Sequence, residues 1–445
     1  MHSQKGLGMS FPTPLRLLAA AAAGALLLGL SACGGGSPAP PANNGSPGGE
    51  PSGEVVWSTW GSPEELERYR GLNDEFMKRH PNITVKLQPV ASYGEYHSKL
   101  LAQLTSRTAP DVFYIGDDKL GQFTSAKVLL PLNDLMAGPL SQTKAEDFFA
   151  GAFGAARLDG ETYAAPNDVN PDALWYDKMA LEAAGITEDP AELAANDQWT
   201  TAKFLEMNDK LAAAGLIGSM YWHYWATHWS WVSSQGGVSY NEAGEFVGNT
   251  DATTVAAVDV LGKYFQDKKF VLADNLPEPG ADSTFATHKA GFFAQGRYTI
   301  GMLKSAGVAE HYDIVRWPTP DGKEAPTGIA ASFLAINGAT KNPDAAFLFW
   351  TEFLSAEGQV FRLSGGGNAV PSIAGADEVV LEDNYPAHAQ TFLDMRDIGF
   401  ANFPAEATVP GLTDDINALM EKLYNGQASS QETLDAVAQL VKDKS

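Results

Sequence analysis

The segment YWHYWATHWSWVSSQGG, residues 221–237, sets Trp222, Trp225, Trp229 and Trp231 within one short stretch, in a chain with 10 Trp in all. Tyr221, His223, Tyr224 and His228 fill the positions between them. Three chemistries fit such residues: an aromatic core, a metal site, or a surface that holds a flat ligand. Read as a helix, Trp222, Trp225 and Trp229 fall on one face at i, i+3, i+7, a spacing that serves a core stripe as well as a platform. Tyr221, Tyr224 and Trp231 then carry aromatic surface onto other faces, more than one core contact requires. His223 and His228 are five apart and diverge on a helix, unlike the i, i+4 pairs that hold metal, and no Cys joins them. No metal and no cofactor are expected.

Other residues offer polar chemistry. Asp117-Asp118 follows an apolar run and is either a helix cap with a solvated acid or a pair of acceptors facing a ligand. Trp60 stands before Gly61-Ser62-Pro63, at a strand-to-loop boundary where a large ring can face a cleft. Arg297 is either a structural ion-pair partner or, exposed in a cleft, a group that favours an acidic or phosphorylated ligand. SGGGN, 364–368, lacks the Lys-Ser/Thr of a phosphate-binding loop and opens no helix. It reads as an irregular loop, with Asn368 a candidate ligand contact.

The elements that must position these groups can be read from periodicity. EVVWSTW (54–60) is a buried strand. Ser62 is the N-cap of the next helix, Pro63 its first residue and Glu65 the closing member of a capping box, with Leu66, Tyr69, Leu72 and Phe76 at helical spacing. A strand at 83–90, a helix at 94–106 and a strand at 111–116 follow. This β-α-β-α-β order predicts a parallel sheet with helices on its faces, and ligands in such sheets bind beyond the carboxyl ends of the strands. The loops after the first and third strands, carrying Trp60 and Asp117-Asp118, should therefore converge. Residues 160–186 read as a turn, an irregular Pro/Asn/Asp segment, a short strand and a helix that cross into a second domain. A helix over 198–214 opens at Thr200 or Thr201. YTIGML (298–303), YDIVRWP (312–318) and SFLAIN (332–337) look like strands, 342–361 like one helix, and 412–424 and 431–442 like the closing helices.

The N-terminus points to export. Lys5 and Arg16 lie before and at the start of an apolar run of about 16 residues from Leu15 to Leu30, shorter than the ~20 a membrane-spanning helix needs. Small residues and Cys33 follow, so residues 1–32 read as a secretory signal peptide. Cys33 is the single cysteine and cannot form an internal disulfide. Residues 33–53 are rich in Gly, Ser and Pro and read as a flexible tether. The remainder is long enough for two domains. The net charge of −24 argues against nucleic acid and against adsorption to anionic lipid.

These segments together resemble one family. L-S-A-C at residues 30–33 resembles the bacterial lipobox, whose Cys is acylated. The tether, EVVWSTW, APDVFYIGDDKLGQFTSAKVLLPLNDL (109–135), GETYAAPNDVNPDALWYDK, FATHKAGFFAQGRY and the helix ending in SAEGQ resemble the extracellular solute-binding lipoproteins of ATP-binding-cassette importers. Within these, the likeness is to the sugar-binding group that includes the maltodextrin binders. The resemblance implies an α/β fold of the periplasmic-binding-protein kind, with two lobes joined by hinge segments. The first lobe would hold 54–166 and 319–368, the second 167–318 and 369–445. It implies a monomer anchored through Cys33 on the extracellular face of the cytoplasmic membrane, delivering a carbohydrate to permease subunits, without catalysis.

Carried over position by position, the resemblance puts Asp117 or Asp118 where relatives hold sugar hydroxyls, and a carboxylate suits a vicinal diol. Asn170 falls where maltodextrin binders carry a carboxylate. Tyr298 falls where relatives place a stacking Trp. Trp222 and Trp225 match a Trp-x-x-Trp pair of the glycerol-phosphodiester binders, and an aromatic face packs on the apolar face of a pyranose. Tyr93, Asp168, Trp229 and Ser332 complete the expected ligand set. After Trp350 the chain lacks the C-terminal Trp of maltodextrin binders, which weighs against an extended glucan. The competing expectations are a glycerol-phosphodiester, polyamine or other small polar cargo, the first favoured by Trp-x-x-Trp and Arg297, and a glycosidase using acids such as Asp117 and Asp168.

Overall fold

The computed structural model describes residues 50–90, 93–149 and 152–444; the expected signal peptide, Cys33 and nearly all of the tether lie outside them. The ten longer strands are β1 (Gly53–Thr59), β2 (Ile83–Pro89), β3 (Val112–Gly116), β4 (Ala164–Pro171), β5 (Ala173–Asp177), β6 (Ile217–Tyr221), β7 (Phe270–Leu272), β8 (Ala290–Gln295), β9 (Tyr312–Val315) and β10 (Ile329–Ile336). They form two five-stranded sheets, in the orders β2-β1-β3-β10-β4 and β9-β5-β8-β6-β7. Each sheet has its own buried core. One is built around Trp57, Phe113, Phe347 and Trp350, the other around Trp175, Phe204, Phe292 and Trp317. These two units are the first and second lobes below.

The expected parallel sheet is half of what forms. β1 pairs parallel with both β2 and β3, as the alternating strands and helices require. β10 runs antiparallel to β3 and β4, because both β10 and β4 are segments that cross between lobes rather than βαβ units. The second sheet is mixed in the same way: β8 is parallel to β6 and antiparallel to β5.

Local signals were reliable where they are self-contained. In α1 (Pro63–Arg79), Ser62 Oγ accepts from the Glu65 N–H and the Glu65 carboxylate accepts from the Ser62 N–H, which closes the capping box with Pro63 at the first position. They failed where the long-range partner decides. The Pro/Asn/Asp-rich stretch read as irregular is strand β4, held by pairing with β10. YTIGML, read as a strand, lies in helix Thr299–Ala306, closed by left-handed Gly307. The single helix at 342–361 is two, because Ser355 ends one and caps the next.

Three crossings join the lobes, and they lie side by side. Asp172 alone separates β4 from β5, and its N–H donates to the Gly328 carbonyl just before β10. Val169 pairs with Val370 of the third crossing, and Gly328 pairs with Phe400. Leu363, Ala369 and Val370 pack in the second core, whereas Ile373, Ala376 and Ala407 pack in the first, so the C-terminal part of the chain serves both lobes.

The crossing is pinned by a buried ion pair. Arg362 Nη1 donates to Asp168 Oδ2 at 2.8 Å, both groups are almost fully buried, and the second guanidinium nitrogen donates to the Asn167 carbonyl. Removing one member of such a pair strands the other in low dielectric. Arg362→Met is expected to cost about 3–5 kcal/mol of stability, read as a lowered midpoint in chemical denaturation.

Candidate functional site: an interlobe cleft

The loops at the carboxyl ends of β1, β3, β6 and β8 face one another across the crossing strands. From the first lobe, Trp60 stands just after β1, partly exposed, with its ring 4.9 Å from Tyr93 and 5.1 Å from Tyr96. Tyr93 is 38% exposed and its hydroxyl donates to Asp118 Oδ1 at 2.6 Å. Asp118 is also paired with Lys119 at 3.2 Å. Asp117, the first residue of α2 (Asp117–Ser125), is buried.

From the second lobe, Trp222 and Tyr224 lie on the short loop between β6 and α3 (Trp225–Ser234), both partly exposed. Trp222 packs on Phe293 with ring centroids 5.5 Å apart. Tyr298, 42% exposed, places its hydroxyl beside Trp222 and near Asp172. The two lobes touch directly at Asp117. Its Oδ1 accepts from the Tyr224 hydroxyl at 2.5 Å and the Trp225 indole at 3.4 Å, and its Oδ2 accepts from the Ala331 N–H at 3.1 Å. Burial, and then the neighbouring Asp118, push the Asp117 carboxyl up to about 7.

The aromatic segment is therefore not one helix. β6 ends at Tyr221 and α3 begins at Trp225, so Trp222 does not share a helical face with Trp225 and Trp229. Trp222 reaches the cleft, and Trp225 reaches it by its N–H while its ring is buried. Trp229, expected at the ligand, is instead in the core: it is fully buried, and its indole donates to Glu406 Oε1 at 2.7 Å. Trp231 is equally buried and donates to the Ala257 carbonyl. The histidines do not diverge either, because His223 precedes the helix; their rings are 5.5 Å apart. His228 is held by Tyr424 and Asn417, and burial lowers it to about 3, so it is a neutral hydrogen-bonded core group. Among the described residues no group of three or more His, Cys, Asp or Glu is placed to hold a metal ion.

Arg297 corrects a second expectation. It is buried, and its guanidinium donates to the carbonyls of Leu363, Gly367, Ala369 and Val379. These bonds occupy the group that would have met a phosphate. Its own N–H donates to Asn170 Oδ1 at 2.8 Å, so Asn170 has its amide oxygen committed to the crossing. Asp168 and Ser332 are joined at 2.6 Å and belong to the ion-paired cluster around Arg362 rather than to an open surface.

Two residues went unnoticed as site candidates. Glu65 closes the capping box, but the same carboxyl also lies beside Asn368 and Asp168, and burial raises its pKa. Only its partner at 368 reveals the second role. Asp172, at the crossing, is 8% exposed and its Oδ2 has no hydrogen-bond partner; burial takes it up to about 8.

Two lobes thus meet at a cleft with aromatic rings and hydrogen-bonding groups at the strand ends, the chain crossing between them three times. The chain belongs to the family of bacterial extracellular solute-binding proteins, whose pattern matches residues 60–360. A putative binding protein of Brucella abortus is 25% identical over 289 residues, and the match spans 64% of that relative's length. A diacetylchitobiose-binding protein of Streptomyces coelicolor is 25% identical over 358 residues, 79% of this chain and 81% of the relative. The GacH receptor of Streptomyces glaucescens, solved without ligand and with acarbose, shares the fold with a TM-score of 0.75 and 23% identity over 89% of this chain and 100% of that one. No helix among the described residues is long and apolar enough to cross a membrane.

Two outcomes follow from this geometry. Trp229→Ala, which opens a core cavity, is expected to cost about 3–5 kcal/mol, whereas Trp222→Ala, at the cleft, should cost much less; thermal melts of both variants check this. Glu406 is buried and raised from 4.5 to about 7. The folded state thus holds this proton more tightly than the unfolded chain. Its contribution is intact below pH 4.5 and is lost as pH rises through 7. Glu406→Gln should flatten that decline by up to about 1.4 kcal/mol per pH unit, measured by denaturation at a series of pH values.

Proposed function

We propose that the protein captures a neutral sugar or short oligosaccharide between its lobes and delivers it to an ATP-binding-cassette importer, without chemical conversion. The observation that carries this reading is that each lobe leaves aromatic rings accessible at its strand ends, Trp60 and Tyr93 on one and Trp222 and Tyr298 on the other, beside hydrogen-bonding groups. Aromatic faces pack on the C–H faces of pyranose rings, and carboxylates and amides read the hydroxyls around the edge. Glu65, Asn170, Asn368 and Asp117 supply those groups. The sugar ligands of the Streptomyces relatives support the same class. The engagement of Arg297 with four carbonyls weighs against a phosphodiester cargo, since the expected anion-binding group is buried.

The carboxyls argue for binding rather than hydrolysis. Asp168 is locked to Arg362, and Asp117 is held by Tyr224, Trp225 and Ala331, so neither is poised to pass a proton to a glycosidic oxygen. The protein works outside the cytoplasm as a monomer, anchored by acylated Cys33, and the Gly/Ser/Pro tether lets the lobes reach the permease. Two acyl chains hold a soluble domain at a membrane, where one binds only marginally.

A panel of mono- and oligosaccharides, with glycerophosphocholine and spermidine as controls, tests the reading by thermal shift. A bound saccharide at 100 times its Kd should stabilise the protein by about 2.7 kcal/mol, with no new reducing ends on prolonged incubation. Trp222→Ala should weaken that saccharide by about 0.5–1.5 kcal/mol, two- to tenfold in Kd. Stabilisation by a control solute alone, with the saccharides inert, would overturn the sugar assignment.

A further inference from the structure

The floor of the cleft is a ribbon of neighbouring segments. Val370 pairs with Val169 of β4, Asn170 of β4 with Ala330 of β10, and Phe400 with Gly328 before β10. Three strand spacings make this floor roughly 14 Å across. Its two edges differ. At the Val370 edge the loop of Gly365–Asn368 meets Glu65.

At the Phe400 edge the chain turns up from the floor and forms the short helix Pro404–Thr408. This helix is fastened to both lobes. Glu406 Oε1 accepts from Trp229 Nε1 at 2.7 Å and from the Tyr240 hydroxyl at 2.9 Å in the second lobe. Its other side lies flush on α2 of the first lobe: a Cβ at Gly121 would stand 2.1 Å from the Ala407 carbonyl and 2.5 Å from Thr408 Cα. Only glycine permits that approach. Between Asp117, Ala331, Asn402 and Ala407 about 10 Å³ remains, room for about one water. The Asn402 amide points into this remnant, buried, with neither its oxygen nor its nitrogen hydrogen-bonded to protein. Farther out, Lys119 and Asp414 pair across the lobes at 3.0 Å.

We propose that the Phe400–Thr408 segment is an end wall of the ligand cleft. The bound saccharide is recognised by one chain terminus lodged against Asp117 and Tyr224, and it extends only toward Glu65 and Asn368. A ligand with no terminus, or with that terminus substituted, is rejected. This rests on the saccharide reading above and adds to it the form of the ligand. The Asp117 carboxylate has about four acceptor directions and three protein donors, which leaves one for a terminal hydroxyl.

Calorimetric titration of the purified protein with maltotriose, cellotriose and chitotriose identifies the series that binds. Each is then compared with its methyl glycoside, blocked at the reducing end, and its 4-O-methyl derivative, blocked at the other, and α-cyclodextrin is included as a ring. The expected result is at least a tenfold loss for one blocked end, less than a twofold change for the other, and no binding of the ring. Gly121→Leu, which pushes the helix off α2, should restore at least part of the binding of the blocked form while the circular dichroism stays that of the parent. Equal tolerance at both ends, or binding of the ring as tightly as the linear sugar, overturns the end wall while leaving the sugar reading intact. Failure of every saccharide in the thermal-shift panel, these three linear series included, overturns the sugar reading and the proposal with it. The comparison of blocked ends uses the unaltered chain, so it decides the matter even if Gly121→Leu does not fold.

Discussion

Everything at the cleft depends on one buried cation. Arg297 stands after the last residue of β8 in the second lobe and hydrogen-bonds four backbone carbonyls between Leu363 and Val379, while its own N–H is held by Asn170. One residue, through its guanidinium and its backbone N–H, therefore ties the second sheet to two of the three crossings. A guanidinium is suited to this, because its planar fork presents five donors in fixed directions and stays charged when buried. The loop of Gly365–Asn368 has little side-chain volume with which to pack, and these bonds supply the order that apolar contact cannot. The position of Asn368 beside Glu65, and hence one edge of the cleft, follows from them.

The second constraint is electrostatic. The cleft region gathers Glu65, Asp117, Asp168 and Asp172, yet each is managed differently. Asp168 is neutralised by Arg362. Asp117 is surrounded by phenol, indole and amide donors, and Asp172 is left with one oxygen unpartnered. Burial raises Glu65, Asp117 and Asp172, since a low-dielectric setting disfavours the charged form. A net-acidic chain can hold several carboxyls in one cleft only if some are paired and others pushed toward neutrality.

Much of the first lobe was legible in sequence because its signals are local. The Ser62-Pro63-Glu65 cap, the alternation of β2 and the apolar run of β3 each carry their own instructions. The series of family segments foretold the two-lobed fold. What stayed hidden were choices made by distant partners. Trp222 and Trp229 are the same residue type on the same stretch. One faces the cleft and the other the core because Glu406, far along the chain, offers a buried acceptor only to the second. Arg297 looked like a ligand group because backbone carbonyls leave no trace in residue type. The segment from Tyr298 has β-branched and aromatic residues in its first turn, but it packs as a helix closed by Gly307, and propensity gave way to that setting.

Glu65 carries two tasks on one carboxyl. It satisfies the Ser62 N–H at the start of α1, and it stands in the cleft beside Asn368. Replacing an N-terminal box residue loosens a helix that packs Tyr69, Leu72 and Phe76 into the first core. A lineage seeking a new cargo could alter the exposed Tyr298 with little effect on folding, but a change at position 65 would be felt in both. Divergence among descendants of this chain should therefore run through that ring first, with the acid at 65 the slower to change.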